Sequence, residues 1–137
     1  MRRTLTPAAV GPDFVAFWSE RRICLLATTA ADGTPHVVAV GVTVDVEAGV
    51  ARVLARSGSQ KVRNVLRHGD GGARVAVTGV DGPRWSTLQG TGVIRTEPDV
   101  ITDGMRRYAV RYERMPTPHP ERVVLEIAVD RILGSMQ

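Results

Sequence analysis

The sequence predicts a mainly β protein: an antiparallel sheet of about six strands, closed into a small barrel, with a few short helices. Two observations carry this prediction. Most apolar stretches alternate with a period of two, which is typical of strands with one buried face. Turn-like links rich in Gly, Asp and Pro separate these stretches. The chain has 137 residues and 43% hydrophobic content, which fits a single compact domain over 1–137.

The first elements are a flexible stretch and a helix. We expect residues 1–11 to form a flexible N-terminus. A short amphipathic helix is predicted over 12–20, because Phe14, Phe17 and Trp18 recur at three- and four-residue spacing.

A β-hairpin is predicted next. Residues 23–29 form its first strand, an Asp-Gly turn occupies 30–34, and 35–46 form one long second strand. Alternate valines of that second strand point to one face, while Ala39 and Gly41 point to the other. The valine face therefore builds core, and the opposite face is unusually flat.

The remaining elements follow from the same rules. Gly90 and Gly92 predict a bulge or a close backbone approach within a long strand, and Pro98 suits the first turn of a helix. The arginine-rich end of that helix, 106–114, is predicted to be its charged solvent face. The predicted elements are a strand at 50–57, a helix at 60–67 with Ser59 as N-cap, strands at 73–80 and 84–96, a helix at 98–112 and a last strand at 122–130.

Composition narrows the function classes. The formal charge is +4, from seventeen arginines, a single lysine and fourteen acidic residues, which suggests an anionic ligand. The basic stretches lack the interleaved aromatics of a nucleic-acid surface.

Cys24 stands alone in an apolar stretch, so a buried structural role is expected. The three histidines are far apart in sequence, and no metal site is predicted. With no long apolar segment, we expect a cytoplasmic protein that neither spans nor binds a membrane.

The lone lysine lies in a segment suited to a phosphate. A strand ends at Arg56, and Ser57-Gly58-Ser59 leads into a helix. Helix N-termini and glycine-rich turns present backbone N–H groups to anions, and Lys61 adds a compact charge. Residue chemistry alone leaves two readings open: a phosphate site, or an ordinary helix cap with a solvated lysine.

Four segments extend the argument to the whole chain: "ERRICLLATTAADGTPHVVAVGVTVD", "ARVLARSGSQKVRN", "DGPRWSTLQGTGVI" and "RYAVRY…RVVLEIAVDRILGS". In this order they resemble the flavin- and deazaflavin-binding split β-barrel family of pyridoxamine 5′-phosphate oxidase, and within it the coenzyme F420-dependent reductases. The resemblance implies a homodimer with the cofactor in a groove between two barrels. It also implies a set of cofactor-binding residues: His36, Val37, Val38, Ala39 and Val40 beside the ring, Arg56, Ser57, Ser59, Gln60, Lys61 and Asn64 around the phosphate, and Trp85 and Gln89, which either approach from the dimer-related side or wall the pocket.

The implied activity is hydride transfer from reduced deazaflavin to a small conjugated planar compound such as biliverdin. Such a reaction needs no nucleophile or triad, since the cofactor carries the chemistry. His36 is a weak candidate for a proton relay, and a structural hydrogen bond is the preferred role for it. Two alternatives remain: an FMN-dependent oxidoreductase of the same fold, and a non-catalytic protein that binds a flavin, deazaflavin or haem-like molecule.

Overall fold

A computed structural model describes residues 7–135. Its sheet has seven strands, and every neighbouring pair is antiparallel. The mainly β, antiparallel fold predicted from the sequence is confirmed, with one strand more than expected. The elements are α1 Pro7–Ser19, β1 Cys24–Thr29, β2 Pro35–Val40, β3 Thr43–Asp45, β4 Val50–Arg56, α2 Gln60–Leu66, β5 Ala73–Asp81, β6 Arg84–Arg95, α3 Pro98–Tyr112 and β7 Arg122–Ser135.

The extra strand arises because the predicted long strand breaks at Gly41 and Val42. The strand order is β2-β1-β5-β6-β7-β4-β3, so β2 and β3 form the two margins of the sheet. Only two residues join these margins, and the sheet must therefore curl until its margins meet. The resulting barrel is split, because β3 pairs with β4 only over Val50–Arg52 while β2 pairs with β1 alone.

The valine face of the predicted long strand survives the break. Val40 and Val42 are buried, and three further valines pack against the same core: Val38, Val44 and Val46. The opposite face is not flat throughout, as the sequence suggested. A Cβ on Gly41 would lie 2.7 Å from a ring carbon of Tyr108 and 3.2 Å from one of Tyr112. The stacked tyrosines of α3 fill the space that was expected to stay open beside Gly41.

Two helices cover the barrel. The core side of α2 is Val62, Val65 and Asn64, each 1% exposed, and it packs against β1, β5 and β6 at one end of the barrel. Helix α3 lies outside β3, β4 and β7, where Gly104 lets its backbone approach Leu54 and Val124.

The arginine-rich end of α3 is not a uniform solvent face, which corrects the sequence-based prediction. Arg106 is exposed, but Arg111 is only 6% exposed. Arg111 donates two hydrogen bonds to the carbonyl of Glu20, at 3.0 and 2.9 Å, and one to the carbonyl of Val42, at 2.5 Å. The hydroxyl of Tyr112 accepts from the Val42 N–H at 2.9 Å. These contacts tie α3 to the strand break and to the segment before β1.

Two further sequence predictions concern the start of α1 and the environment of Cys24. Helix α1 begins at Pro7 and is kinked at Gly11, where φ is 82°, so the part of the predicted flexible stretch that is described is helical; residues 1–6 lie outside the described range. Cys24 is 1% exposed, which confirms its buried role, and burial raises the pKa of its thiol.

The long glycine-containing strand carries the predicted irregularity. Gln89 pairs with Arg131, whereas Gly90 pairs with Val129, so Asp130 is an extra residue and the pairing forms a bulge. A Cβ on Gly90 would lie 2.1 Å from the carbonyl oxygen of Ala128. Strand β7 continues beyond the predicted end at residue 130 to Ser135.

Between residues 7 and 135, no helix combines the length and apolar character needed to cross a bilayer.

Candidate cofactor site

The loop between β4 and α2 is held by its own backbone. The hydroxyl of Ser59 donates to the carbonyl of Arg56 at 2.8 Å, and the Ser59 N–H donates to the same oxygen at 3.0 Å. Ser59 occupies the N-cap position, but its side chain makes no capping bond, which corrects the expected cap. Because α2 is only seven residues long, any anion here depends on side chains more than on the helix end.

Two cations flank this loop without a compensating charge among the described residues: Arg56 at the end of β4 and Lys61 in the first turn of α2. Among residues 7–135, the side chains of Arg56 and Lys61 form no ion pair. Lys61 is half-buried. Loss of hydration lowers the pKa of Lys61, and the neighbouring charge of Arg56 lowers it further. The two charges are therefore close together, and they repel each other in the free protein.

Arg63, the third basic residue near this loop, binds the loop itself. Arg63 donates to the carbonyl of Gly58 at 2.6 Å and to the side-chain oxygen of Gln60, also at 2.6 Å. Its guanidinium is thus turned back onto the loop and fixes the Gly58 turn.

The predicted ligands Gln60 and Asn64 form a structural chain. Gln60 donates to the Asn64 side-chain oxygen at 2.7 Å, and the Asn64 amide donates to the hydroxyl of Thr28 at 2.9 Å. Asn64 and Thr28 are both buried. These side chains fasten α2 to β1, so Asn64 positions the loop and has no surface to offer a ligand. Sequence reasoning missed Thr28, whose only signal was a hydroxyl on the buried face of β1.

Strand β2 does not present its five predicted residues on one surface. Val37 and Ala39 are exposed on the outer face. His36 and Val38 lie on the inner face, and Val40 is only 7% exposed within the core. Because β2 is a margin of the sheet, what its residues share is an unpaired backbone edge. A planar group meeting this strand would therefore contact its backbone edge and its two outward side chains.

His36 stands at the inner side of this edge, opposite Thr28 in the β1–β2 ladder. The structural hydrogen bond expected for His36 is not made by its Nδ1 atom, which is buried and has no partner among the described residues. A buried polar atom without a partner is costly, so the atom is a candidate ligand contact. The register thus places His36 opposite Thr28. Asn64 binds Thr28 and belongs to α2, the helix that also carries Lys61.

Gln89 and Trp85 lie on the outer face of β6. Gln89 is opposite Ala76 of β5, which in turn is opposite Ala27 and then Val37. A shallow pocket of about 310 Å³ opens on this row, lined by Gln89, Pro35, Arg74 and their neighbours. Trp85 is four residues further along the strand, roughly 13 Å away, and is 40% exposed. Within one chain, Gln89 therefore lies in the row of Val37, and Trp85 does not.

Comparison with known proteins agrees with this architecture. The sequence pattern of the family described as pyridoxamine 5′-phosphate oxidase matches residues 10–135. The chain is 43% identical over 130 residues to the F420H(2)-dependent biliverdin reductase of Mycobacterium tuberculosis (strain CDC 1551 / Oshkosh), which covers 95% of this chain and 91% of that protein.

Two solved structures share the fold. A conserved hypothetical protein of Mycobacterium tuberculosis superposes with a TM-score of 0.73 at 24% identity, over 89% of this chain and 81% of that one. A protein named F420 reductase superposes with a TM-score of 0.70 at 24% identity, over 93% of this chain and 100% of that one. The resemblance seen in the sequence is confirmed: this chain belongs to the pyridoxamine 5′-phosphate oxidase family.

Proposed function

We propose that this protein is a coenzyme F420-dependent reductase that transfers a hydride from the reduced deazaflavin to a conjugated planar compound, with biliverdin as the first candidate. The observation that carries the proposal is the uncompensated pair Arg56 and Lys61 beside the Ser57–Ser59 loop. An anionic group placed there would relieve the repulsion between the two cations. The 43% identity to a reductase that uses F420H(2) supports the choice of cofactor.

The residues present fit a phosphate-bearing flat cofactor. Lys61 and Arg56 would hold the phosphate, with the exposed hydroxyl of Ser57 as a further donor. The backbone edge of β2 and the orphaned Nδ1 of His36 would meet polar groups of the ring. When bound, the cofactor supplies the hydride; the chain supplies orientation and a site partly withdrawn from water. His36 is the described residue best placed to hold a proton beside β2.

The direct test is a titration of the purified protein, followed by tryptophan fluorescence, with coenzyme F420 and separately with FMN. We expect coenzyme F420 to bind more tightly than FMN. Biliverdin added to the complex with reduced F420 should then be consumed while the cofactor is oxidised, as read from the two absorbance spectra. Binding of F420 without its oxidation would contradict biliverdin as the substrate and favour a carrier role. Tighter binding of FMN would overturn the assignment of coenzyme F420 as the cofactor.

We further propose that two copies of the chain associate through the outer sheet face. That face carries large apolar side chains with substantial exposure: Leu25 at 43%, Val37 at 56%, Val80 at 60% and Trp85 at 40%. Several large apolar side chains exposed on one face are typical of an interface. In such a dimer, Trp85 would reach a site from the second copy, in keeping with its distance from Val37 in one chain.

Replacing Val37 with glutamate would place a charge on this face, and we expect it to shift the protein from dimer to monomer. The physical reason is the cost of burying an unpaired carboxylate at an interface. Molar mass by light scattering is the measurement, and Val110→Glu is the matched control, since Val110 is 78% exposed on α3. A wild-type protein of monomer mass, or a control that dissociates equally, would contradict the proposed interface.

A further inference from the structure

Three adjacent side-chain rows on the face of β4 and β7 that lies under α3 differ in chemistry. Arg52 is opposite Glu126, and the two form an ion pair at 3.5 Å. Leu54 is opposite Val124, and this apolar row packs beneath Gly104. The third row, at the end of β4, is Arg56 opposite Arg122. A pairing of opposite charges at one end of the face is thus replaced by a pairing of like charges at the other.

Like charges directly opposite in antiparallel strands destabilise a sheet, and no carboxylate among the described residues forms an ion pair with either arginine. Arg56 has no ion pair there. Arg122 donates to the carbonyl of Thr117 at 2.6 Å, but its Nε is buried and has no hydrogen-bond partner. A guanidinium N–H that is withdrawn from water without an acceptor is costly. The arrangement has a physical reason if an anion binds between the two arginines.

A cavity opens beside this row. It has a volume of about 530 Å³ and lies between the first turns of α3 and the segment 118–123. Ser57 and Arg122 reach its wall, Ile101 and Met105 give it an apolar side, and the Ser57 N–H binds the carbonyl of Glu121 at 2.8 Å. Glu121 is the acidic residue of the lining, and no ion pair among the described residues joins its carboxylate to either arginine.

We propose that Arg56 and Arg122 form a second anion subsite, which takes a carboxylate of the same ligand whose phosphate is held at Lys61. This inference rests on the proposed function and adds Arg122 to the site. Arg56 lies between the two subsites, because Lys61 is close enough to feel its charge and Arg122 is its cross-strand partner. The cavity gives a chain of carboxylates beyond the phosphate a place to lie. In coenzyme F420 that chain is the oligoglutamate tail.

The test compares two forms of the cofactor, one with several glutamates and one that ends before the first glutamate. Tryptophan quenching gives the dissociation constant of each for the wild type, Arg122→Gln and the control Arg114→Gln, whose arginine is exposed beyond the far end of α3. We expect Arg122→Gln to weaken the glutamylated form about tenfold, and the tail-less form by no more than about twofold. The control should change neither. Equal losses for both forms, or no loss, would overturn the second subsite.

A second measurement separates this inference from the proposed function. If the wild type binds neither form of F420, the proposed function fails, and the subsite is then judged on the ligand-free protein. Millimolar citrate should raise the melting temperature of the wild type more than that of Arg122→Gln. Equal citrate shifts in the two proteins would overturn the subsite even where F420 does not bind.

Discussion

Lys61→Ala is expected to weaken the binding of coenzyme F420 by roughly ten- to a hundredfold, which corresponds to the about 1.5–3 kcal/mol of a hydrogen bond to a charged group. The lysine is half-buried and unpaired, so an anion bound there gains a partner already stripped of part of its water. The melting temperature should fall by no more than about 1 °C, because removal of the lysine also removes its repulsion with Arg56. Fluorescence titration and thermal melting check the two statements.

The matched control for this prediction is Arg114→Ala. It removes one positive charge from an exposed position beyond the far end of α3, a helix whose 15 residues extend roughly 20 Å. An equal loss of affinity in the control would mean that overall charge, and not the Lys61 loop, attracts the cofactor. Unchanged affinity in Lys61→Ala would refute the phosphate assignment.

Arg111→Met should lower the free energy of unfolding by about 3 kcal/mol, because it removes the three hydrogen bonds that the guanidinium donates to the carbonyls of Glu20 and Val42. The guanidinium now binds the carbonyls of Glu20 and Val42 and lies 5.4 Å over the ring of Trp18. Methionine keeps much of the volume and donates nothing. For a chain of 137 residues, a loss of this size lowers the melting temperature by roughly 10 °C, which differential scanning calorimetry would measure.

Arg106→Met is the control on the same helix. Arg106 is exposed and pairs with Asp103 one turn earlier, and such surface pairs contribute little. Its substitution should change the unfolding free energy by less than about 0.5 kcal/mol. If the two variants melt at the same temperature, Arg111 is not the residue that fastens α3 to the strand break.

The elements set by local chemistry were predictable from the sequence. The hairpin turn before β2, the proline start of α3 and the bulge at Gly90 each follow from one or two residues whose backbone preferences are strong. The break at Gly41 was not predictable, because the valine alternation runs through it without interruption. It depends on the two tyrosines of α3, which are distant in sequence and approach only in the folded chain.

The end of β7 was not predicted, because the bulge changes which residues of the strand face inward. Before the bulge the inward residues are odd-numbered, as Ile127 and Val129 are; beyond it they are even-numbered, and Ile132 packs on the core. The extra residue Asp130 shifts the alternation by one. A search for a single period therefore ends the strand at 130, five residues before its last paired residue, Ser135.

In the candidate site, too, some residues could be recognised from the sequence and others depend on the fold. Charge and spacing identified Arg56 and Lys61, since cations with suitable neighbours can be recognised in the sequence. Which polar residues face inward cannot be read there, and so Gln60 and Asn64 were predicted as ligands although they bind each other and Thr28. Arg122 was missed altogether, because its position opposite Arg56 is a property of the sheet register.

The split of the barrel also bears on how the protein avoids aggregation. An open sheet of seven strands would expose two long edges, each able to template pairing with another chain. Here the run from Pro35 to Asp45 serves both margins, first beside β1 and then beside β4. Because one short run forms both margins, the unpaired backbone is limited to the six residues of β2, the three of β3 and the part of β4 that β3 does not cover. Only these short lengths are left to attract another chain, whereas longer sheet edges need charged residues or proline for protection.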